Sequence, residues 1–196
     1  MAALERGGVI VYPTETLYGL GVDATAETAL ARLGSLKGRD RDKPVSVLVA
    51  SRAMLDEIVD AVTGIAERLI EEFWPGALTL AFSARPHVPR VLTGGTGTIA
   101  ARISSEPIAQ AIVEHLRRPL TATSANPGGA PAAVDVAAAR AYFGTRVDVY
   151  VDGGRTLDGP GSTMVDCSTD VPRLLREGVI PLAAIEAAAG MRLRRE

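Results

Sequence analysis

Five short polar segments carry the side chains of this 196-residue chain that are best suited to chemistry. They supply hydroxyl, amide, ammonium and guanidinium groups, which hold phosphates and carboxylates and stabilise charge during transfer at phosphorus. The segments contain Thr14 and Thr16, Lys37 and Arg39, Thr98 and Arg102, Ser124 and Asn126, and Ser162 and Arg176. This set of donors predicts an anionic ligand, with a nucleotide as the leading candidate.

The first segment lies within residues 9–21, V-I-V-Y-P-T-E-T-L-Y-G-L-G. A buried strand is predicted for residues 9–12, and Pro13 ends it because proline has no N–H to donate to a sheet. Three hydroxyls and the carboxylate of Glu15 follow within five residues. They predict the polar edge of a pocket, although an ordinary polar turn after a strand explains the pattern equally well.

Two lysines, Lys37 and Lys43, enclose the charged segment K-G-R-D-R-D-K, for which an exposed loop after a helix is predicted. Every other lysine or arginine position in the chain is arginine. A compact ammonium fits where a guanidinium fork does not, so lysine here favours a functional site. Chance placement of two residues is the alternative.

An arginine also stands on one face of the predicted strand T-I-A-A-R-I. Alternation along the strand places Thr98, Ala100 and Arg102 on that face. Arg102 is therefore a candidate ligand group. The alternative interpretation is an edge-strand arginine that points to water.

Composition and motifs exclude several classes of protein. The net charge of -2 and the pI of about 5.8 argue against a protein whose whole surface binds nucleic acid. The single cysteine, Cys167, excludes an internal disulfide and a multi-cysteine zinc site, and is predicted to be a packed thiol. Neither His87 nor His115 stands near a triad motif, and phosphate-loop and dinucleotide fingerprints are absent. We therefore expect neither covalent catalysis nor a resident metal.

The order of predicted elements indicates the fold class. Helices and strands interleave irregularly, and several strand pairs are joined by loops too short for a crossover helix. We expect a single α/β (α+β) domain over residues 1–196, with a twisted mixed sheet flanked by helices. A last helix and a frayed basic tail are predicted for residues 181–196. Without a targeting segment or an apolar run of membrane length, the sequence predicts a cytoplasmic protein with no membrane contact.

Five motifs in order give a specific resemblance: Y-P-T-E-T-L-Y-G-L-G, K-G-R, F-W-P-G-A-L-T-L, T-S-A-N and L-L-R-E-G. The chain resembles the YrdC-type threonylcarbamoyl-AMP synthases from about residue 7 to residue 178, in their short single-domain form. The resemblance implies a YrdC-like fold. Two positions depart from the family pattern, Asp40 after the K-x-R arginine and Leu48 where some relatives have histidine.

The resemblance also implies an activity. Members of this family join L-threonine, bicarbonate or CO2, and ATP into threonylcarbamoyl-AMP and release pyrophosphate, the first step of threonylcarbamoyladenosine formation in tRNA. Magnesium is expected to arrive with ATP. The expected partners are the downstream proteins that transfer the threonylcarbamoyl group, and a transient contact with tRNA is left open.

The resemblance assigns roles to individual residues. Matches to the catalytic signature are Lys37, Arg39, Ser124 and Asn126. Matches to threonine-binding positions are Thr16, Arg102 and Ser162. Matches to ATP-binding positions are Arg39, Lys43, Thr98, Ser124, Asn126 and Arg176. The general base is not assigned, and Glu15, a water molecule and the substrate itself are the candidates.

Three other functions fit parts of the sequence. A double-stranded RNA or tRNA-binding module is favoured by the arginine excess and disfavoured by the acidic pI. A carbamoyl-transfer domain of the hydrogenase-maturation type would be expected to carry further modules. A paralogue of the same fold without synthase activity would be expected to lack the T-S-A-N motif.

Overall fold

A computed structural model describes residues 1–38, 43–157 and 159–195. The helices in these residues are α1 (Ala2–Glu5), α2 (Glu27–Lys37), α3 (Arg52–Ile58), α4 (Gly64–Phe73), α5 (Arg90–Thr93), α6 (Pro107–Leu116), α7 (Val136–Phe143) and α8 (Leu182–Ala189). A 3-10 turn, Gly144–Arg146, follows α7. None of the described helices is long and apolar enough to cross a bilayer.

The strands form two mixed sheets. They are β1 (Ile10–Tyr12), β2 (Gly19–Gly21), β3 (Val47–Leu48), β4 (Leu78–Ser83), β5 (Thr98–Arg102), β6 (Leu120–Thr121), β7 (Thr123–Ser124), β8 (Val149–Tyr150), β9 (Thr163–Asp166), β10 (Arg173–Arg176) and β11 (Arg194–Arg195). The smaller sheet has the order β7-β2-β1-β8 and the larger has the order β11-β10-β9-β4-β5-β3-β6. Both contain parallel and antiparallel pairs. The predicted mixed α/β class is confirmed, with the strands divided between two sheets where the sequence predicts one.

One extended segment, residues 120–124, belongs to both sheets. Its first part is β6, which runs antiparallel to β3 in the larger sheet. Its second part is β7, which runs antiparallel to β2 in the smaller sheet. Between them, the N–H of Ala122 donates to the carbonyl of Ser46 at 2.8 Å. The segment therefore brings Ser124 to the junction of the two sheets.

Tyr12 connects the smaller sheet to this segment. Its ring is fully buried and its hydroxyl donates to the carbonyl of Thr121 at 2.8 Å. Burial raises the pKa of Tyr12 above its ordinary value, so the phenol stays protonated and remains a donor. The ring lies so close to β2 that a Cβ at Gly21 would stand 2.7 Å from its Cε1 atom, and one at Gly19 would stand 3.1 Å from its Cζ atom. The two glycines of G-L-G thus make room for the tyrosine.

The starts of two helices differ in their capping. Ser51 caps α3, because its side chain accepts from the N–H of Met54. Asp23 and Thr25 are residues of the capping type just before α2, but neither caps it. The helix starts after Ala26 without a side-chain cap, since the Asp23 carboxylate instead accepts from the N–H and hydroxyl of Thr25.

The sequence predicts a frayed C-terminal tail, but the tail is held in place through residue 195. Arg194–Arg195 pair in parallel with β10, and the N–H of Arg194 donates to the carbonyl of Pro172 at 3.1 Å. Leu193 is buried, and its N–H donates to the carboxylate of Glu186 in α8 at 3.0 Å. The buried Leu193 and the pairing with β10 hold the basic tail. The local sequence shows neither the burial of this leucine nor the strand partner.

Replacing Tyr12 with phenylalanine is expected to lower the free energy of unfolding by about 1–2 kcal/mol, because a buried carbonyl loses its donor. Urea denaturation monitored by circular dichroism measures this change. Tyr150→Phe is the matched control, since its hydroxyl also donates to a carbonyl, that of Gly144 at 2.8 Å, but in an exposed position. The control should lose less than about 0.5 kcal/mol, and equal losses in the two variants would contradict the role of Tyr12 at the junction.

Candidate functional site

A cavity of about 630 Å³ opens where the two sheets meet. This volume lies within the range of about 300–1,000 Å³ that is typical of small-molecule sites. The charged residues in its described lining are Lys37, Lys43, Arg102 and Arg176. The same described lining contains no aspartate and no glutamate. Four cations around one space, with no carboxylate among these residues, favour a ligand that carries several negative charges.

Lys37 is the last residue of α2, and it is only 6% exposed. Its ammonium donates to the carbonyl of Ser124 at 2.7 Å and to the side-chain oxygen of Asn126 at 3.2 Å, and its Nζ lies 3.5 Å from the Ser124 hydroxyl. The sequence predicts Lys37 in an exposed loop, and that prediction is wrong. The lysine belongs to the helix instead of the loop, so its side chain reaches into the fold instead of into water.

Asn126, which accepts a hydrogen bond from Lys37, is itself held by hydrogen bonds to the backbone. Its Nδ2 donates to the carbonyl of Pro127 at 3.0 Å and to the carbonyl of Ala130 at 2.6 Å. The N–H of Gly128 donates in turn to the carbonyl of Lys37 at 2.9 Å. The T-S-A-N motif and the end of α2 therefore form one hydrogen-bonded unit.

Arg102 ends β5 and is 5% exposed. Its guanidinium pairs with the carboxylate of Glu15, which also accepts from the hydroxyl of Ser104. Burial lowers the pKa of Arg102 to about 10, so the group stays positively charged at neutral pH. Arg102 lines the cavity, whereas Glu15 is not part of the lining.

Ser162, just before β9, contacts Arg176, the last residue of the neighbouring strand β10. The Arg176 guanidinium donates to the carbonyl of Ser162 at 2.8 and 3.2 Å and to its hydroxyl at 3.3 Å. Burial lowers the pKa of Arg176 from its ordinary value. The Ser162 hydroxyl also lies 2.7 Å from the hydroxyl of Thr79, a residue that is 2% exposed and lines the cavity.

The loop after β1 supplies two further hydroxyls, those of Thr14 and Thr16. Thr14 builds the turn, because its hydroxyl donates to the carbonyl of Leu17 at 2.6 Å and accepts from the N–H groups of Thr16 and Leu17. The Thr16 hydroxyl lies 3.2 Å from that of Thr14, and both line the cavity. Of the two interpretations of this segment, the structure supports the pocket edge.

The structure brings most of the predicted site residues together. Those that line the cavity are Thr16, Lys37, Lys43, Arg102, Ser124, Asn126, Ser162 and Arg176. Thr98 is not in the lining, and its hydroxyl pairs with that of Thr96 at 2.9 Å at the far end of β5. Arg39 lies outside the described residues, as does Asp40.

Several polar residues of the lining are not among the predicted site residues. Thr79 and Ser46 are two examples. Thr79 stands alone among apolar residues in A-L-T-L-A-F, and a hydroxyl in an otherwise apolar buried strand is the signal that could have identified it. The Ser46 hydroxyl donates to the carbonyl of Ala122 at 3.0 Å. Its role depends on a partner 76 residues away, which local sequence does not show.

The predictions also concern the cysteine and the potential metal ligands outside the cavity. Cys167 is buried, and burial raises its pKa to about 12, which confirms a packed thiol. Within residues 1–38, 43–157 and 159–195, no group of three or more histidine, cysteine, aspartate or glutamate residues is arranged to hold a metal ion. A metal that acts in the cavity would therefore need ligands other than a cluster of these described side chains.

Comparisons with known proteins agree with this geometry. The family model Sua5/YciO/YrdC, described as telomere recombination, matches residues 2–178. The chain is 38% identical over 187 residues to the threonylcarbamoyl-AMP synthase of Pyrococcus abyssi, a match that covers 95% of this chain and 55% of that protein. It is 40% identical over 191 residues to a putative threonylcarbamoyl-AMP synthase of Mycobacterium leprae, covering 97% and 86% of the two chains.

A solved structure is also similar. The crystal structure of P. abyssi Sua5 complexed with L-threonine aligns with a TM-score of 0.95 and 37% identity, over 100% of this chain and 57% of that one. The chain thus spans little more than half the length of the Pyrococcus relative and most of the length of the mycobacterial one.

The charge of the cavity predicts that it binds polyphosphate. Arg176→Gln should weaken the binding of inorganic tripolyphosphate about tenfold or more, because a hydrogen bond to a charged group contributes about 1.5–3 kcal/mol. Isothermal titration calorimetry measures the affinity. Arg173→Gln is the control, since Arg173 lies on the same strand, pairs with Asp166 at 3.1 Å and does not line the cavity. Equal losses in both variants would mean that only the net charge matters and would contradict the assignment.

Proposed function

Because the chain belongs to the Sua5/YciO/YrdC family, we propose that it is a nucleotidyltransferase that makes L-threonylcarbamoyl-AMP from L-threonine, bicarbonate and ATP. The observation that carries this proposal is the described lining of the cavity, which has four cationic side chains and no carboxylate. Two relatives that it resembles are named as threonylcarbamoyl-AMP synthases, one of them putatively. The Sua5 structure that it matches was determined as a complex with L-threonine.

The phosphates of ATP bind to the cationic side of the cavity. Lys43, Lys37 and Arg176 line it and supply donors for the triphosphate. Arg39 and Thr98 stay predictions as ATP ligands, since the first lies outside the described residues and the second outside the lining. Magnesium comes bound to ATP, because hard cations take oxygen ligands and the described lining offers no carboxylate to hold the ion.

L-Threonine binds between Arg102, Ser162 and Thr16. A guanidinium binds a carboxylate through two parallel hydrogen bonds, which fixes the orientation of the amino acid. A hydroxyl on the protein that bonds the hydroxyl of threonine disfavours amino acids that lack it, because the protein group is then left unpaired. Thr79, which contacts Ser162, belongs to the same side of the cavity.

The reaction proceeds in two steps. The neutral amine of threonine attacks the carbon of CO2, or that of bicarbonate with cleavage of a C–O bond and loss of water, and forms a carbamate. A carbamate oxygen then attacks the α-phosphorus of ATP, and the bond to pyrophosphate breaks. Lys37 offsets the negative charge that develops during this transfer, and its ammonium is already oriented by Ser124 and Asn126.

The proton of the amine goes to the substrate or to water. The described lining contains neither a carboxylate nor an imidazole, the side chains that most often act as general bases. Glu15 is already bonded to Arg102 and Ser104 and lies outside the lining. Bicarbonate and water are therefore the proton acceptors in this proposal.

The product is an activated acyl-adenylate, which requires an acceptor. Proteins that transfer the threonylcarbamoyl group to tRNA adenosine are the proposed consumers, in the cytoplasm where ATP and tRNA are available. A direct contact with tRNA stays a prediction. In the alternative, a module that only binds RNA, tRNA affinity would fall with salt and no threonine-dependent turnover would occur.

Pyrophosphate release by the purified protein should require L-threonine and bicarbonate in addition to ATP and magnesium. Lys37→Met, which keeps the length of the side chain but removes the charge, should lower kcat by about 100-fold or more. Arg32→Met on the same helix is the control, because Arg32 pairs with Asp148 at a half-exposed position. Release that does not depend on threonine, or a Lys37→Met protein that is folded and fully active, would contradict the proposal.

A further inference from the structure

Glu15 lies directly behind the cavity, and the reaction described above gives it no role. The Arg102 side chain is 7% exposed and that of Glu15 is 14% exposed. One carboxylate oxygen of Glu15 accepts from Nη1 of Arg102, and the other accepts from the hydroxyl of Ser104. Because only Arg102 of these residues lines the cavity, the carboxylate contacts the guanidinium from its protein side.

The carboxylate of Glu15 is itself rigidly supported. Ser104 is 1% exposed, and its hydroxyl also accepts from the N–H of Glu106 at 3.2 Å, just before α6 begins. The backbone on both sides of Glu15 is held by Thr14, whose hydroxyl bonds Thr16 and Leu17. A carboxylate fixed at both its oxygens and its backbone can hold a guanidinium in one orientation.

This arrangement determines which edge of Arg102 is open to a ligand. Nη1 is bonded to Glu15. No acceptor among the described residues is bonded to Nε or Nη2 of Arg102, a contrast with Arg176, whose Nε and Nη2 both donate to Ser162. Nε and Nη2 are two parallel donors on one edge of the guanidinium, the geometry that a carboxylate accepts in a bidentate manner.

The same arrangement balances charge. A buried guanidinium without a partner is strongly unfavourable, and Glu15 supplies the partner while no ligand is bound. The Arg102–Glu15 pair has no net charge, so a zwitterionic amino acid can bind beside it without leaving a charge uncompensated. A site with an arginine that lacks a carboxylate partner would instead favour anionic ligands over zwitterionic amino acids.

We infer that Glu15 is a positioning residue, which presents the Nε–Nη2 edge of Arg102 to the carboxylate of the amino-acid substrate. The inference rests on the proposed function, since it takes that substrate to be L-threonine. It assigns Glu15 to substrate binding and removes it from proton transfer. Its carboxylate acts through Arg102 and does not touch the substrate.

Two variants of the full chain distinguish positioning from proton transfer. Glu15→Ala removes both the acceptor and the charge, and should raise the Kd and KM for L-threonine about tenfold while the KM for ATP stays within about twofold. Glu15→Gln keeps an acceptor for Arg102 and should recover threonine binding to within about fivefold, with kcat nearly unchanged. Glu71→Gln, an exposed glutamate on α4, is the control and should change nothing.

The measurements are calorimetry with L-threonine and pyrophosphate release under saturating ATP, on proteins whose thermal unfolding shows that they are folded. If Glu15→Gln lowers kcat about 100-fold with an unchanged threonine KM, Glu15 is a general base and the inference is overturned. It is equally overturned if Glu15→Ala binds threonine as the unmodified chain does. Turnover without any threonine dependence in the unmodified chain is a separate outcome, which overturns the proposed function and the inference with it.

Discussion

The site depends on one buried ammonium and on the acceptors that a distant segment brings to it. Lys37 donates to Ser124 and Asn126, which lie 87 and 89 residues further along the chain. A buried charge that is left without partners costs several kcal/mol, so the end of α2 and the T-S-A-N segment are stable only together. The return bond from Gly128 to the carbonyl of Lys37 makes this dependence mutual. The part of the cavity that contains Lys37 is therefore also a structural joint.

Three cations of the described lining are held by different kinds of acceptor. Lys37 and Arg176 donate to carbonyl and hydroxyl oxygens, which orient the two groups. Arg102 is bonded to a carboxylate, so its charge is largely balanced. Arg102 is thus paired with a carboxylate, whereas Arg176 is bonded to an uncharged serine. In the proposed function, the neutral guanidinium–carboxylate pair suits a zwitterion and the other cations suit the phosphates of a nucleotide.

Residue types and motif order predict the four cations of the described lining, but they do not predict the partners of these cations. The donors that line the cavity were recognisable as strand-end hydroxyls and cations. The burial of Lys37 was not, because lysine is rarely buried and its acceptors are remote in sequence. Glu15 is a candidate base from the sequence, because the sequence shows a carboxylate but not its contact with Arg102. The division into two sheets was hidden because β6 and β7 have two residues each, too few to show an alternation.

The loop that carries Thr16 and the segment that carries Ser124 are held together by one hydrogen bond. The loop that carries Glu15 and Thr16 leaves the smaller sheet directly after Tyr12, and Tyr12 is bonded to Thr121 in the segment that leads to Ser124. In the proposed function, the loop that binds threonine and the segment that carries Ser124 are therefore connected through one buried hydrogen bond. Attack of a carbamate oxygen on phosphorus requires reacting atoms within about 3–3.5 Å, a tolerance that two independently moving loops would not keep. The two glycines that admit the Tyr12 ring therefore support this connection, and one of them, Gly19, also lines the cavity.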